Sequence, residues 1–471
     1  MDQPGIVLKA LGQLPSLEQL SLQDPGPFEV GVRMVASGIC HTDLSYMRDA
    51  RTTPVLLGHE GAGVVEAVGE GVTHVQPGDP VVINWQAKCQ QCKHCRSGRQ
   101  DYCENVQGTA APRVYWGQQP LAVMLNAGTF SPWVVVPADG AVPIRRDMPL
   151  SKAAMLGCAV ATGVGAALYS ARVAPHEDVV VIGAGGVGLN IIQGARLAQA
   201  HLIIAIDLDE SRLELARKMG ATHTLLGGAH TGAEVLRLTD GRGVEHVFEA
   251  VGLPGLMLQG IDMLCRGGTL TLVGAAARDA TLPFHPRRFM SRQQRMVGSI
   301  YGNIRPQLDL PMFADWYMQG KLLLDDLHTT SVRLEDVPEV LPRWSKTVAF
   351  APSSSSSPNT GYPDRSAPCL FTIWKASSQS KLPPAWRRTP SWCCLSAPSS
   401  GIATTCRWAW MVSWLPPWAS ALQKQVMRCW RRFLIGRWAG FPIPTRSNCR
   451  WNRSSRCWLR SWSSSRRWAF G

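Results

Sequence analysis

The chain has 471 residues, of which 45% are hydrophobic and only 17% are charged, against about 25% charged in ordinary globular proteins. At about 150 residues per domain, a chain of this length is expected to hold two or three domains, each able to bury a core. Length and composition therefore exclude a wholly disordered protein.

The net charge of +14 comes entirely from the C-terminal part of the chain. Residues 345–471 hold 19 of the 48 lysines and arginines but one acidic residue, Asp364, and carry a net charge of +18. Residues 1–344 hold 29 basic and 33 acidic residues, a net charge of −4. Because a nucleic-acid-binding protein needs positive charge on its folded domain, we predict no nucleic-acid partner.

The start of the chain and its cysteines indicate where the protein works. Residues 1–10 show no basic segment followed by an apolar one, and no window of about 20 residues is apolar enough to span a bilayer. Residues 1–344 contain seven cysteines, an odd number that suits metal binding or catalysis better than disulfides. We therefore predict a cytoplasmic protein with reduced thiols and no membrane partner.

The first 155 residues or so predict an irregular, mostly antiparallel β domain. Glycine and proline separate short runs rich in valine and isoleucine, a pattern typical of short strands. The clearest of these runs are Val30–Val35, Gly63–Val68 and Val81–Asn84.

From Asp178 the pattern changes to alternating strands and helices, which predicts a parallel, doubly wound sheet. A strand at Val179–Ile182 leads into the glycine turn Gly183–Gly188, a helix follows, and the next strand ends at Asp207. Further elements are predicted at Ser211–Met219 (helix), Val244–Glu249 and Thr269–Val273 (strands), Leu310–Gln319 (helix) and His328–Leu334 (strand). The last two are expected to return to the first domain.

Residues 345–471 are predicted to have no fold. They hold 13 of the 18 tryptophans, a run of serines and seven cysteines, without helical or strand periodicity. Disordered tails are normally poor in aromatic residues, which favours out-of-frame translation over a functional extension. The alternative is a basic disordered tail whose arginine and tryptophan side chains stack on single-stranded nucleic acid.

Four cysteines lie close together in the first domain, at Cys89, Cys92, Cys95 and Cys103. Four thiols on one loop suit a closed, tetrahedral zinc site. A bacterial ferredoxin motif also begins with this spacing, but it requires three residues before its fourth cysteine and a proline after it. Here the gap is seven residues and Glu104 follows, so we predict structural zinc.

Three further candidate ligands, Cys40, His59 and Cys158, are far apart in the sequence. A lone buried cysteine is usually a small core residue, so each is a weak signal by itself. Their surroundings are more specific, namely GICHTDL, GHEGAGVVEAVG and LGCAVATGVGA. Two thiolates and an imidazole leave a fourth zinc position open, as catalytic zinc requires.

The glycine turn predicts a dinucleotide-binding site. Its glycines are Gly183, Gly185, Gly186 and Gly188. The turn follows a strand, opens a helix and precedes an acidic residue, Asp207, at the end of the next strand, which is the required context. The helix N-terminus would hold the pyrophosphate, and Asp207 would bind the ribose hydroxyls and repel a 2′-phosphate, which favours NAD.

Together these motifs resemble the zinc-dependent medium-chain alcohol dehydrogenases over residues 1 to about 342. The resemblance implies an α/β protein with a GroES-like, mostly β catalytic domain and a Rossmann domain with a doubly wound parallel sheet. The expected domains are 1–158 with 303–344 returning to it, 159–302 for NAD, and the tail 345–471. It also implies two zinc ions per subunit and a homodimer or homotetramer.

The resemblance also implies a role for each matching residue. Cys40, His59 and Cys158 would bind the catalytic zinc, and Cys89, Cys92, Cys95 and Cys103 the structural zinc. Around the catalytic zinc, Thr42 would pass on the alcohol proton, Asp43 would orient His59, and Glu60 would lie behind the metal. Toward the cofactor, His41 would approach the phosphates, Thr162 and Val187 the nicotinamide, and Arg212 the adenosine ribose.

The predicted function is hydride transfer between NAD and a primary aliphatic or aromatic alcohol. One alternative is a thiol-adduct formaldehyde dehydrogenase, although such members carry an arginine where this chain has Gln107. The other is a zinc-stabilised binding protein without catalysis. Ser45 also replaces a histidine that ends the proton relay in liver-type members, and the region from Val106 to Gly128 is expected to line the substrate channel or a subunit interface.

Overall fold

The computed structural model describes residues 1–106, 108–347 and 372–375. All of them belong to the first of the two units into which the chain divides, Met1–Thr389. Gln107 lies outside the described residues, as does most of the predicted tail.

The first part of the chain forms two mostly antiparallel sheets. Its strands are β1 (Asp2–Leu8), β2 (Ser16–Leu22), β3 (Glu29–Ile39), β4 (Val55–Leu56), β5 (Glu60–Val68), β6 (Pro80–Ile83), β7 (Val114–Trp116), β8 (Gln119–Pro120), β9 (Ala122–Val123), β10 (Trp133–Pro137) and β11 (Ala141–Pro143). Its helices are α1 (His41–Asp49), α2 (Lys93–Arg96), α3 (Leu150–Ala153) and α4 (Ala159–Gly165). One sheet has the order β8-β7-β2-β1-β4-β9, and the other contains β11-β6-β5-β3 with β10 paired to β3.

The next part forms a parallel sheet with helices between its strands. The elements are β12 (Val179–Ile182), α5 (Gly186–Leu197), β13 (Ile203–Asp207), α6 (Glu210–Met219), β14 (His223–Leu226), α7 (Thr231–Leu238), β15 (Val244–Glu249), α8 (Pro254–Met263), β16 (Leu264–Leu272), α9 (Pro286–Ser291) and β17 (Arg295–Gly298). The strand order is β14-β13-β12-β15-β16-β17, and every pairing is parallel. This is the doubly wound order of a dinucleotide-binding sheet, which confirms the predicted fold class.

The chain then returns to the first domain through α10 (Pro306–Met318), β18 (Thr330–Val332) and α11 (Val337–Thr347). Leu334, Val337 and Leu341 are buried in the same core cluster as Ile6 and Leu8. The segment after β18 and helix α11 therefore complete the core of the amino-terminal domain.

Glycine is required where β12 turns into α5. Gly183 has φ +95°, a left-handed conformation that other residues rarely adopt. A Cβ atom at Gly188 would collide with the carbonyl oxygen of Gly183, so the helix can approach the strand this closely only with glycine there. The turn thus places the N-terminus of α5 at the carboxyl edge of the sheet, near the topological switch between β12 and β15.

A bent pair of helices joins the two domains. Leu150–Gly157 and Ala159–Ala171 meet at an angle of 54° on either side of Cys158. Among the described residues no single helix is long and apolar enough to cross a membrane. The two helices of this bent pair, taken together, reach that length and apolar composition. Met155 and Val164, one from each helix, share a core cluster with Val82 of β6 and Val181 of β12. The bend at Cys158 therefore lies at the junction of the two domains.

The segment predicted to have no fold, 345–471, differs from that expectation at two points. Helix α11 continues to Thr347, and a further strand, β19 (Thr372–Lys375), pairs antiparallel with β3 and parallel with β18. Within these pairs Thr372 lies opposite Ile39, the residue before Cys40. Local periodicity could not indicate this strand, because its pairing partners are distant in the sequence. The other residues of the segment lie outside the described structure.

Two truncations are expected to separate β19 from the rest of the tail. Removing residues 348–471 takes away β19 and leaves the edge of β3 beside Ile39 unpaired. Both the activity and the melting temperature should fall, the latter by about 2–4 °C for each kcal/mol of unfolding free energy lost. Removing residues 390–471 keeps β19 and should leave activity within twofold, because every proposed ligand precedes residue 213. Thermal melts and NADH formation on both truncated chains measure this, and equal behaviour of the two would count against a role for β19.

Candidate functional site

The four-cysteine cluster consists of Cys89, Cys92, Cys95 and Cys103, whose sulfur atoms all lie within 4.8 Å of one another. The Sγ atom of Cys89 is 3.9 Å from that of Cys95 and 3.6 Å from that of Cys103. Thiolates around tetrahedral zinc, with Zn–S bonds of about 2.3 Å, are separated by about 3.8 Å. The cluster therefore fits a zinc ion bound by four cysteines.

Backbone N–H groups prepare this cluster for a metal. Cys92 precedes the short helix α2, and its sulfur accepts the N–H of Cys95 at 3.5 Å, while the sulfur of Cys89 accepts the N–H of Cys92 at 3.3 Å. The N–H groups of Cys95 and Glu104 lower the pKa of the Cys92 thiol to about 6. A thiol that ionises this readily is a good zinc ligand.

A second cluster, the inner cluster, contains Cys40, His59, Glu60 and Cys158, whose ligand atoms also lie within 4.8 Å of one another. Cys40 stands between β3 and α1, His59 immediately precedes β5, Glu60 is the first residue of β5, and Cys158 occupies the bend between the two domains. His59 and Glu60 are fully buried. The fold therefore gathers residues that are far apart in the chain.

The polar atoms of the inner cluster fit a bound cation. Neither carboxylate oxygen of Glu60 nor the Nε2 atom of His59 has a hydrogen-bond partner, although all three are buried. Leaving buried polar atoms unpaired is costly. Two sulfurs, one imidazole nitrogen and a carboxylate are a donor set that zinc prefers, so a zinc ion would satisfy these atoms.

Asp43 connects two of the candidate ligands. Its Oδ2 accepts the backbone N–H of Cys40 at 2.8 Å, and its Oδ1 lies 3.4 Å from Nδ1 of His59. Because Nδ1 faces this carboxylate, Nε2 is the His59 nitrogen that faces the inner cluster, 3.9 Å from Oε1 of Glu60. A carboxylate behind a ligating histidine fixes its orientation and raises its basicity.

Glu60 is closer to the candidate ligands than the sequence indicates. The resemblance places it behind the metal, whereas the structure brings a carboxylate oxygen into the ligand cluster itself. Burial raises the pKa of the Glu60 carboxyl well above its usual value. The Glu60 carboxylate is therefore the fourth candidate donor of the inner cluster.

Thr42 and His41 extend from the inner cluster toward the nucleotide side. The Oγ1 atom of Thr42 lies 3.5 Å from the sulfur of Cys40. The side chain of His41 reaches solvent at the start of α1. Partial enclosure lowers the pKa of its imidazole, and the positive charge of Arg212 acts in the same direction. His41 and Arg212, from different domains, thus face a common space.

Asp207 supports the glycine turn at the end of β13. Its Oδ2 accepts the N–H of Ala184 at 2.7 Å, and its Oδ1 accepts the N–H of Asp209 at 3.1 Å. Arg212 lies 3.8 Å away, at the start of α6. The carboxylate is therefore fixed beside the turn where a ribose would bind.

Thr162 and Val187 lie near the contact between the two domains. The backbone N–H of Thr162 bonds to the carbonyl oxygen of Cys158 at 2.8 Å, which puts Thr162 one helical turn from the inner cluster. A Cβ atom at Gly163 would lie 2.5 Å from the carbonyl oxygen of Val187, so α4 and α5 are in close contact. Thr162 therefore lies close to Cys158, and Val187, within the glycine turn, lies against the neighbouring helix α4.

The structure also shows neighbours that the sequence did not indicate. Tyr301 is fully buried, and its ring centroid lies 4.6 Å from that of Trp85. Burial and the negative charges of Cys158 and Glu60 raise the pKa of the Tyr301 phenol well above its usual value. No local motif carries this information, because Trp85 and Tyr301 belong to different parts of the sequence.

Two family models match the chain. Residues 26–146 match the alcohol dehydrogenase GroES-like domain, and residues 186–317 match the zinc-binding dehydrogenase domain. The chain therefore belongs to the zinc-dependent medium-chain alcohol dehydrogenase family. It is an enzyme of that family, and its cofactors are zinc and NAD.

Individual relatives carry different names. The probable S-(hydroxymethyl)glutathione dehydrogenase 1 of Schizosaccharomyces pombe is 35% identical over 336 residues, which cover 68% of this chain and 88% of that protein. Alcohol dehydrogenase 2 of Zea mays is 34% identical over 342 residues, covering 69% and 90%. The crystal structure of benzyl alcohol dehydrogenase from Acinetobacter calcoaceticus superposes with a TM-score of 0.70 at 29% identity, covering 80% of this chain and all of that one.

Proposed function

We propose that the protein oxidises primary aliphatic or aromatic alcohols to aldehydes, with NAD as the hydride acceptor, and catalyses the reverse reduction. The observation that carries the proposal is the inner cluster, where Cys40, His59 and Cys158 converge with the Glu60 carboxylate, and the Glu60 position is the one that a substrate would take. A site with an open position suits catalysis, whereas the four-cysteine cluster has no such position. The non-catalytic binding protein considered from the sequence is set aside, because the chain belongs to an enzyme family.

The residues around the inner cluster support this reaction. Zinc bound there would supply a Lewis acid for the alcohol oxygen, and NAD would accept the hydride. Thr42, beside Cys40, is placed to accept the alcohol proton and pass it on. Asp43 keeps His59 in one orientation, and Glu60 can approach the same position when the substrate is absent.

Two aromatic side chains favour an apolar alcohol. Trp85 packs against the cores of both domains, and its partner Tyr301 is close enough for the charge of Cys158 to act on it. Within the region from Val106 to Gly128, Met124 is fully buried in the core of the β domain and does not line such a site. We therefore propose Trp85 and Tyr301 as the aromatic wall of the substrate site.

A thiol-adduct formaldehyde dehydrogenase is the second candidate function. What favours it is that relatives carry both names: the protein from Schizosaccharomyces pombe is named a probable S-(hydroxymethyl)glutathione dehydrogenase, and the protein from Zea mays is named an alcohol dehydrogenase. NADH formation from benzyl alcohol, a primary aliphatic alcohol, and formaldehyde with glutathione separates the two. We expect turnover with the first two substrates, and turnover only with formaldehyde and glutathione would contradict the proposal.

We propose that NAD is preferred over NADP, because Asp207 places a negative charge beside the ribose. Asp207→Asn removes that charge but keeps an acceptor for the N–H of Ala184. The variant should lower the ratio of kcat/KM for NAD to that for NADP by about 10- to 100-fold, since like-charge contacts cost several kcal/mol.

Steady-state kinetics with both cofactors measure the change. The control is Asp262→Asn, because Asp262 is an exposed residue of α8 that forms an ion pair with Arg288. A wild-type preference for NADP would overturn the assignment.

We also propose a cytoplasmic homodimer or homotetramer, in which β17, an edge strand of the parallel sheet, is available for contacts.

A further inference from the structure

Lys88 is the single buried lysine or arginine among residues 1–106 and 108–342. It is 4% exposed and immediately precedes Cys89, the first residue of the four-cysteine cluster. Burying an ammonium group costs several kcal/mol unless opposite charge and hydrogen bonds compensate. The position of Lys88 therefore requires a compensating negative charge.

The direct partner of Lys88 does not supply that charge. Its Nζ donates a hydrogen bond to Oε1 of Gln86 at 2.8 Å, which is a neutral acceptor. Asp139 accepts the backbone N–H of Lys88 at 2.6 Å rather than its ammonium. Within the described chain no carboxylate oxygen lies within 4.0 Å of Nζ. The compensating charge must therefore act over a longer distance.

The four-cysteine cluster lies directly beside Lys88, because the backbone N–H of the next residue, Cys89, donates to the sulfur of Cys103 at 3.4 Å, and the two sulfurs are 3.6 Å apart. Burial lowers the pKa of the Lys88 ammonium, and negative charge on Cys103, Asp139 and Cys95 acts to raise it, with Cys103 the strongest. Four thiolates around one zinc ion carry a net charge of −2, twice the charge of Asp139. Three of the four cysteines are half-buried, but Lys88 itself is buried, so its attraction to these charges is screened less than it would be at the surface.

We propose that Lys88 is the buried counter-charge of the four-cysteine zinc site, and that its positive charge sets how firmly this site retains zinc. Lys88 is thus a positioning residue that acts through the thiolates and not on the substrate. The inference rests on zinc at the four-cysteine cluster and is independent of the proposed alcohol substrate. Lys93, in the same loop, is exposed and has no such role.

Zinc release from the full chain into a colorimetric chelator tests the proposal. A Cys158→Ser background confines the signal to the four-cysteine site, and its zinc content before chelation shows separately whether that site holds zinc. Lys88→Met keeps the length of the side chain and removes its charge, whereas Lys88→Arg keeps the charge in a bulkier group. Lys93→Met is the matched control.

We expect zinc release about tenfold faster or more from Lys88→Met, near the parent rate from Lys88→Arg, and unchanged from Lys93→Met. If Lys88 only fills space, zinc release should be faster from Lys88→Arg than from Lys88→Met, and that result would overturn the proposal. Parent-like release from Lys88→Met would overturn it too. Should Lys88→Met fail to fold, Lys88→Gln provides the same comparison.

Asp139→Asn tests the competing partner. If Lys88 serves the thiolates, Lys88→Met should still accelerate zinc release in an Asp139→Asn background. Loss of the effect in that background would show that Lys88 neutralises Asp139 instead.

Discussion

Replacing Cys158 by serine should abolish alcohol oxidation while the protein remains folded. Cys158 supplies one of the two sulfurs of the inner cluster, and a serine hydroxyl is a much poorer zinc ligand than a thiolate. Lewis-acid catalysis contributes several kcal/mol to the barrier, so kcat should fall by about a thousandfold or more. NADH formation measures the loss, and circular dichroism with thermal melting reports the fold.

Cys265→Ser is the matched control for this substitution. Cys265 is a free cysteine outside both clusters, with its sulfur 3.9 Å from Oε1 of Glu245. Its replacement should leave kcat within twofold. Wild-type turnover in folded Cys158→Ser would remove Cys158 from the catalytic site and with it the mechanism proposed here.

The second large effect is expected at Cys95, the buried member of the four-cysteine cluster. Cys95→Ser should release zinc from this site and loosen residues 89–103, because binding of structural zinc contributes about 10–16 kcal/mol to folding in zinc-finger peptides. Even a part of that energy should lower the melting temperature by about 10 °C or more. Calorimetry and metal analysis measure the two effects.

Ser97→Ala provides the control within the same loop. Ser97 is exposed, and its hydroxyl donates to the carbonyl oxygen of His94 at 3.0 Å. Its replacement should change neither zinc content nor melting temperature appreciably. If Cys95→Ser kept both at wild-type values, the four-cysteine cluster would not be a structural zinc site.

Features set by neighbouring residues could be predicted from the sequence. The strand Val179–Ile182 has the predicted bounds, and the glycine turn, the helix after it and the strand ending at Asp207 follow in the predicted order. These elements depend on short-range periodicity and on the special backbone of glycine. The spacing of the four cysteines was informative for the same reason, because one loop carries all of them.

Features set by distant contacts could not be predicted in this way. The contact between Trp85 and Tyr301 and the pairing of Thr372–Lys375 with β3 join segments that are far apart in the chain. Likewise, nothing in the sequence shows that Lys88 is buried while Lys93 is exposed. These contacts and differences in burial arise from tertiary packing, which cannot be read from the local pattern of a single sequence.

The inner cluster could be predicted from the sequence only in part. Residue patterns alone made Cys40, His59 and Cys158 weak candidates, and the resemblance to a known family joined them into one site. The structure brings their ligand atoms together and adds Glu60 to the set. A role for Glu60 near the open position follows from this distance and not from its place in the motif.

The zinc content of the purified, folded full chain tests the central claim most directly, because the chain is held to contain one closed and one open zinc site. Metal analysis should give two zinc ions per chain, falling to one in Cys95→Ser and to one in Cys158→Ser. A folded wild-type chain that holds one zinc ion or none would contradict the assignment of both clusters as zinc sites.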